Sequence, residues 1–227
     1  MKKLVFGIYV LIGMIISLPI MIVLRILKKD EKLTPLFLSK YFRIMLKVLN
    51  VKVKIQGEIT YPLGNTLVVS NHLSMLDIVL LTGYVKERMI FISKEENAKV
   101  PIISIWMKYN GVIFIPRDNL RESIKRLNKA TNYMKNNIPV IIFPQGTRSK
   151  DINFKAGSLK FVQKSQGSIL PIAIKGTDEI LKNKSYSKNI VELTFNEIIP
   201  YEDYQNQNLV EVQTNIQELI KKEVNYE

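Results

Sequence analysis

The sequence contains no cysteine and a single histidine, His72. The first absence excludes a disulfide framework, a thiolate metal site and a cysteine nucleophile; the second excludes a paired-histidine metal centre. No metal is therefore expected, and if an imidazole does chemistry here it belongs to His72. Acidic residues are also scarce. Twenty Asp and Glu stand against 33 Lys and Arg, a formal net charge of +13 that points to an anionic partner. With 47% hydrophobic and 23% charged residues, the 227-residue chain can bury a core and is not a disordered polyelectrolyte.

The charge is unevenly placed. Residues 1–57 carry eleven basic and two acidic side chains, 58–200 carry twenty and twelve, and 201–227 carry two and six. The basic first quarter surrounds the most hydrophobic stretch of the chain. Leu4 to Leu24 is a run of twenty-one residues without a charge, long enough as a helix to cross roughly 30 Å of hydrocarbon. Lys2 and Lys3 precede it; Arg25, Lys28 and Lys29 follow. The run is long for a secretory signal and lacks a small-residue cleavage site. Basic flanks on both sides leave the positive-inside rule ambiguous. Gly13 and Pro19 interrupt the run, so we expect a kinked segment that dips into one leaflet and returns, with a clean span as the alternative.

A second helix is expected after Thr34 and Pro35, read as cap and first-turn proline. Leu36, Phe37, Leu38, Phe42, Met45, Leu46 and Leu49 form its apolar face, and Ser39, Lys40, Arg43, Lys47 and Asn50 its polar one. Beside an uncharged run, such a helix is expected to lie in the headgroup plane with its cations on anionic membrane lipid. Residues 1–50 are accordingly read as a membrane-anchoring helical segment and 51–227 as the functional domain.

From Val51 onward short apolar runs alternate with helical periods. Val51 to Ile55, Thr66 to Ser70, Met89 to Ser93, Val112 to Ile115, Val140 to Phe143 and Ile169 to Ile174 read as strands. Asn119 with Glu122 opens a helix, and Leu209, Val212, Ile216, Leu219 and Ile220 stripe a last one. The pattern predicts an α/β fold, a largely parallel or mixed sheet flanked by helices, with functional groups at strand ends.

Three strand ends carry polar clusters. After the Thr66–Ser70 strand come Asn71, His72 and Asp77. A five-residue spacing on a regular helix would put the two side chains about 140° apart. For them to meet, His72 belongs in the strand-to-helix turn and Asp77 in the helix behind it. The carboxylate would then fix the imidazole tautomer and leave the other nitrogen as a general base. No Gly-x-Ser-x-Gly elbow is present, so the proton removed would be the substrate's own. A buried structural hydrogen bond is the competing reading. Gly111 to Asp118 delivers Arg117 beyond a buried strand, and Ile142 to Ser149 does the same for Arg148. Arginine holds phosphate in planar bidentate contacts, Gly146 allows close backbone approach, and Thr147 and Ser149 add hydroxyls.

Asn-His-x-x-x-x-Asp at 71–77, Gly-x-x-Phe-Ile-x-Arg at 111–117, Phe-Pro-x-Gly-Thr-Arg-Ser at 143–149 and Leu-Pro-Ile-Ala-Ile-Lys-Gly at 170–176 resemble, in this order, the four blocks of the glycerolipid acyltransferases. The likeness is greatest to the bacterial 1-acylglycerol-3-phosphate acyltransferases. It implies acyl transfer from a thioester to the 2-hydroxyl of lysophosphatidic acid, with His72 as base and Asp77 as its orienting partner. Arg117, Gln145, Gly146, Thr147 and Arg148 would bind the acceptor, and Pro171 would shape the acyl-donor side. It implies no cofactor beyond the co-substrate, acyl-CoA or acyl carrier protein, and a bacterial cell membrane location with the site on the cytoplasmic face. One departure stands out: the family usually has Glu where this chain has Gln145. An amide keeps the size and can donate and accept, but cannot be a base.

Two alternatives follow: transfer to another lysolipid or ornithine-lipid acceptor, and a catalytically inactive membrane or acyl-carrier binding protein. A nucleic-acid partner is not expected, because the charge borders an uncharged helix and no recognisable nucleic-acid-binding signature accompanies it.

Overall fold

A computed structural model describes residues 2–116, 118–182 and 189–224, with the side chain of Leu120 left aside. In chain order the helices are α1 (Lys2–Ile26), α2 (Asp30–Val48), α3 (Leu76–Tyr84), α4 (Ile103–Tyr109), α5 (Leu120–Lys135), α6 (Lys160–Ser165), α7 (Tyr201–Tyr204) and α8 (Leu209–Val224). The strands are β1 (Val51–Gln56), β2 (Thr66–Ser70), β3 (Ile90–Lys94), β4 (Ile113–Ile115), β5 (Val140–Ile142), β6 (Ser168–Lys175) and β7 (Asn189–Phe195), and Glu95–Lys99 is a 3₁₀ turn. The chain divides into two compact units, residues 1–55, 73–88 and 174–193 in one, and 56–72, 89–173 and 194–227 in the other.

The larger unit is built on parallel strands in the order β6-β2-β5-β3-β4. Every expected strand is present within about two residues of its expected bounds. Leu67 and Val69 of β2 and Val140 and Ile142 of β5 point into one core with Ala130 and Met134 of α5, Phe161 of α6 and Ile216 of α8. Val68 and Ile141, on the opposite face, are equally buried. Burial on both faces is why these strands read as continuous apolar runs and not as alternation. An antiparallel bridge between Ile169 and Ile199 makes the pairing mixed. The register pairs Val69 with Ile142, and Lys94 with Ile115. The C-terminal ends of β2 and β5 therefore lie side by side, where side chains gather in open parallel sheets.

The smaller unit holds α1, α2, α3 and the neighbouring strands β1 and β7. The expected boundary near residue 50 falls inside it. In this unit α1 is one uninterrupted helix of 25 residues, about 37 Å long, and Gly13 and Pro19 do not turn it back. The reversal comes after Ile26, at Lys28, which adopts a left-handed φ of 54°. Gly13 has a packing reason: a Cβ there would run into the ring of Tyr41 from α2, whose hydroxyl donates to the carbonyl of Tyr9. Leu4, Ile8, Leu11, Ile15 and Val23 are exposed along α1, and the helix is long and apolar enough to cross a membrane.

Two expectations for α2 are corrected. It starts at Asp30, with Asp30 and Glu31 in the first turn where the helix dipole favours acids, so Pro35 lies inside it and Thr34 is no cap. Its apolar face, Leu38, Phe42, Met45 and Leu46, is buried, with α2 packed on α1 and α3. Ser39 and Arg43, expected on the lipid-facing polar side, instead donate to the carbonyl of Gly83 in α3 at 2.6 and 2.7 Å. The Arg43 guanidinium also lies over the Tyr84 ring. Two donors on a carbonyl in the last turn of α3 satisfy one of its orphan acceptors.

Candidate active site

Two turns, one after β2 and one after β5, carry the polar clusters. After β5, Phe143 to Gly146 forms a tight turn in which Gly146 N–H donates to the Phe143 carbonyl at 3.0 Å. Pro144 suits its second position and Gly146, at a φ of +66°, its last. The His72 ring is half-buried and stacks on Phe143, with centroids 4.2 Å apart and planes 17° from parallel.

The two turns are sewn together through backbone. Ser149 N–H donates to the His72 carbonyl at 3.0 Å, while His72 N–H donates to Gln145 Oε1 at 2.7 Å. Gln145 Nε2 then donates to the carbonyls of Ser149 at 2.9 Å and Asp151 at 3.0 Å. The amide orientation follows from its partners, since one end meets an N–H and the other two carbonyls. Gln145, expected to bind substrate, is buried, with both ends bonded to backbone. Gly146, Thr147 and Arg148 are exposed on the rim.

Asp77 lies in the first turn of α3 and is fully buried. Its Oδ2 accepts from the amides of Leu73 at 2.7 Å and Ser74 at 2.8 Å, and its Oδ1 accepts from the Thr177 hydroxyl. The carboxylate thus fixes the two residues that directly follow His72. Thr177 was not foreseen, although it directly follows the fourth block. Thr177→Val keeps the shape and removes the donor, so we expect kcat about three- to tenfold lower and stability lower by about 1 kcal/mol, checked by steady-state turnover and denaturant melts.

Another cation lies beside the rim. The side chain of Lys155 lies over Gly146: a Cβ there would meet its Cε at 2.9 Å and its Nζ at 3.0 Å. The room that glycine leaves is thus used by the chain's own lysine. Lys155 N–H donates to the Pro144 carbonyl, and α8 holds the same segment through Gln217 Oε1 on Phe154 N–H. A basic residue between Phe154 and Gly157, seven after Arg148, was the available signal.

Of the remaining expected residues, Arg117 lies outside the described residues. The strand leading to it is held firmly: Arg126 donates to the Phe114 carbonyl at 2.9 Å, and Ser123 Oγ to the Pro116 carbonyl at 2.7 Å. Arg126 also pairs with Glu95 and Glu122, and its hydrogen bond holds the Glu122 carboxyl below the usual range. Pro171 is buried within β6 opposite Val69, its carbonyl accepting from Asn196 N–H at 3.1 Å. Among the described residues no group of three or more His, Cys, Asp or Glu could hold a metal ion.

A family model described as Acyltransferase matches residues 52–175. The 1-acyl-sn-glycerol-3-phosphate acyltransferase of Borreliella burgdorferi is 24% identical over 190 residues, covering 80% of this chain and 76% of that protein. The Helicobacter pylori protein of the same description is 30% identical over 129 residues, 55% of this chain and 54% of that protein. The chain thus spans about half the length of some curated relatives that it matches. Among solved structures, the 1-acyl-sn-glycerophosphate (LPA) acyltransferase of Thermotoga maritima superposes with a TM-score of 0.80 at 25% identity, over 98% of this chain and 96% of that one.

Proposed function

Because the chain belongs to the Acyltransferase family, we propose that it moves a fatty acyl group from a thioester to the 2-hydroxyl of 1-acylglycerol 3-phosphate, forming phosphatidic acid. The supporting observation is the bond between the two turns: Ser149 N–H on the His72 carbonyl at 3.0 Å fixes the base beside the loop that carries Thr147 and Arg148. Three curated relatives and the superposed solved structure bear the corresponding description.

In this reading Arg148, Thr147 and Lys155 hold the acceptor's phosphate, with Arg117 as a further ligand, and His72 takes the proton of the free hydroxyl. The oxygen attacks the thioester carbonyl, the tetrahedral oxyanion collapses, and the departing thiolate takes the proton back from the imidazolium. With no cysteine in the chain, no thioester can form on the protein, consistent with direct transfer between substrates. General-base assistance is worth about 10²- to 10⁴-fold, and alignment of the two substrates accounts for much of the rest. The apolar α1 supports association with a membrane, where a lysolipid resides.

Acyl transfer by detergent-purified protein to lysophosphatidic acid, with acyl carrier protein and coenzyme A thioesters compared, tests this reading. Thioester consumption with another lysolipid but not with lysophosphatidic acid would replace the acceptor, and no consumption at all would leave a binding protein. Arg148→Ala is expected to raise the acceptor KM about tenfold with a smaller change in kcat, measured with lysophosphatidic acid in mixed micelles.

A further inference from the structure

Gln145 sits between the base and the rim loop yet is only 3% exposed. The geometry points to Gln145 as a positioning residue for both halves of the site, its amide oxygen setting His72 and its amide nitrogen setting the loop that bears Arg148. The inference rests on the acyl-transfer reading and gives the base and the phosphate-binding loop one common support.

The bonding explains why an amide stands where the family usually has an acid. His72 N–H needs an acceptor at 2.7 Å, and the carbonyls of Ser149 and Asp151 need donors at 2.9 and 3.0 Å. An amide meets all three demands from one planar group. An ionised carboxylate would turn its second oxygen toward two carbonyl oxygens, and a protonated one would offer a single hydrogen to both. Each bond acts next to the chemistry. The oxygen holds the peptide nitrogen of His72 itself, whose carbonyl is held by Ser149 N–H, so the histidine is gripped on both sides. The nitrogen holds the carbonyl of the residue directly after Arg148, which sets the path of the loop through Thr147 and Arg148.

Two variants separate the tasks. Gln145→Glu keeps the acceptor for His72 and removes the donors. We expect the acceptor KM to rise about five- to tenfold, with kcat within about threefold of wild type. Salt screens a buried charge only weakly, so the uncharged Gln145→Met, which also loses the donors, separates lost donation from charge repulsion by showing the same rise. Gln145→Met keeps the length and removes all three bonds, so the same rise in KM is joined by a fall in kcat of about tenfold or more, while the thioester KM moves less than about twofold. Amide hydrogen exchange supplies a readout independent of turnover: in Gln145→Met the amides of His72 and Ser149 should exchange faster, with those of Leu67 to Val69 unchanged. An unaltered acceptor KM in either variant would overturn the inference, as would wild-type kcat in Gln145→Met. Absence of transfer to lysophosphatidic acid by the wild type would fell the acceptor reading instead, and unchanged exchange at His72 in Gln145→Met would then overturn the clamp by itself.

Discussion

His72→Ala should lower kcat by about 10²- to 10⁴-fold while the protein stays folded and the KM of each substrate changes little. The loss has no internal remedy, because this imidazole is the chain's only one and no cysteine is present to act as a nucleophile. The variant is also clean in structural terms. The bonds that shape the turn use the His72 backbone, its N–H to Gln145 and its carbonyl from Ser149, and alanine keeps both. What disappears is the ring stacked on Phe143, leaving a space of ring size beside an aromatic face. Imidazole added to the assay can enter that space, and partial rescue that saturates with imidazole concentration is expected. Steady-state turnover of lysophosphatidic acid with each substrate varied, the same assay with added imidazole, and a thermal melt check these expectations. Residual turnover within tenfold of wild type would remove His72 from the chemistry.

Much of this site was legible because its residues sit at the ends of buried strands. Apolar runs such as Leu67 to Val69 and Val140 to Ile142 announce central parallel strands, and whatever polar residue follows them is placed at the open edge. Among the features of the fold that escaped, two have clear physical reasons. The strand β7 alternates apolar Val191, Leu193 and Phe195 with polar Glu192 and Thr194, the signal of a half-buried strand and unlike the continuous apolar runs that mark the central ones. Proline in α2 suggested a start at Thr34, whereas the acidic pair Asp30 and Glu31 and the packing of Leu38 and Phe42 on neighbouring helices carry the helix further back. In the site itself, the block pattern identifies His72, Asp77 and Arg148 as residue types. It cannot say which side chains face substrate and which face backbone. Gln145, a motif residue, is turned inward, and Lys155, outside the motif, lies over Gly146. Such orientation depends on the turn geometry of Phe143 to Gly146, where the Gly146 N–H bond to the Phe143 carbonyl sets the direction of each side chain.

The second large effect is expected at Asp77, where two substitutions divide a structural task from an electrostatic one. Asp77→Ala strips an acceptor from the buried amides of Leu73 and Ser74 and from the Thr177 hydroxyl. Each unsatisfied group costs about 1–3 kcal/mol, against a net stability of about 5–15 kcal/mol for a typical protein, so a large drop in the melt is expected. That result alone would say nothing about catalysis. Asp77→Asn is the informative change. The amide oxygen can accept from Leu73 and Ser74 as Oδ2 does, and its NH₂ can donate to Thr177, whose hydroxyl accepts as readily as it donates. The turn after His72 is thereby kept, and stability should stay within about 1 kcal/mol of wild type. The negative charge is gone. If that charge serves the imidazolium formed when His72 takes the hydroxyl proton, kcat falls on the order of 10²- to 10⁴-fold with KM nearly unchanged. A folded Asp77→Asn enzyme with near wild-type kcat would confine Asp77 to holding the amides of Leu73 and Ser74, and His72 would then act as base without a charged partner at that position.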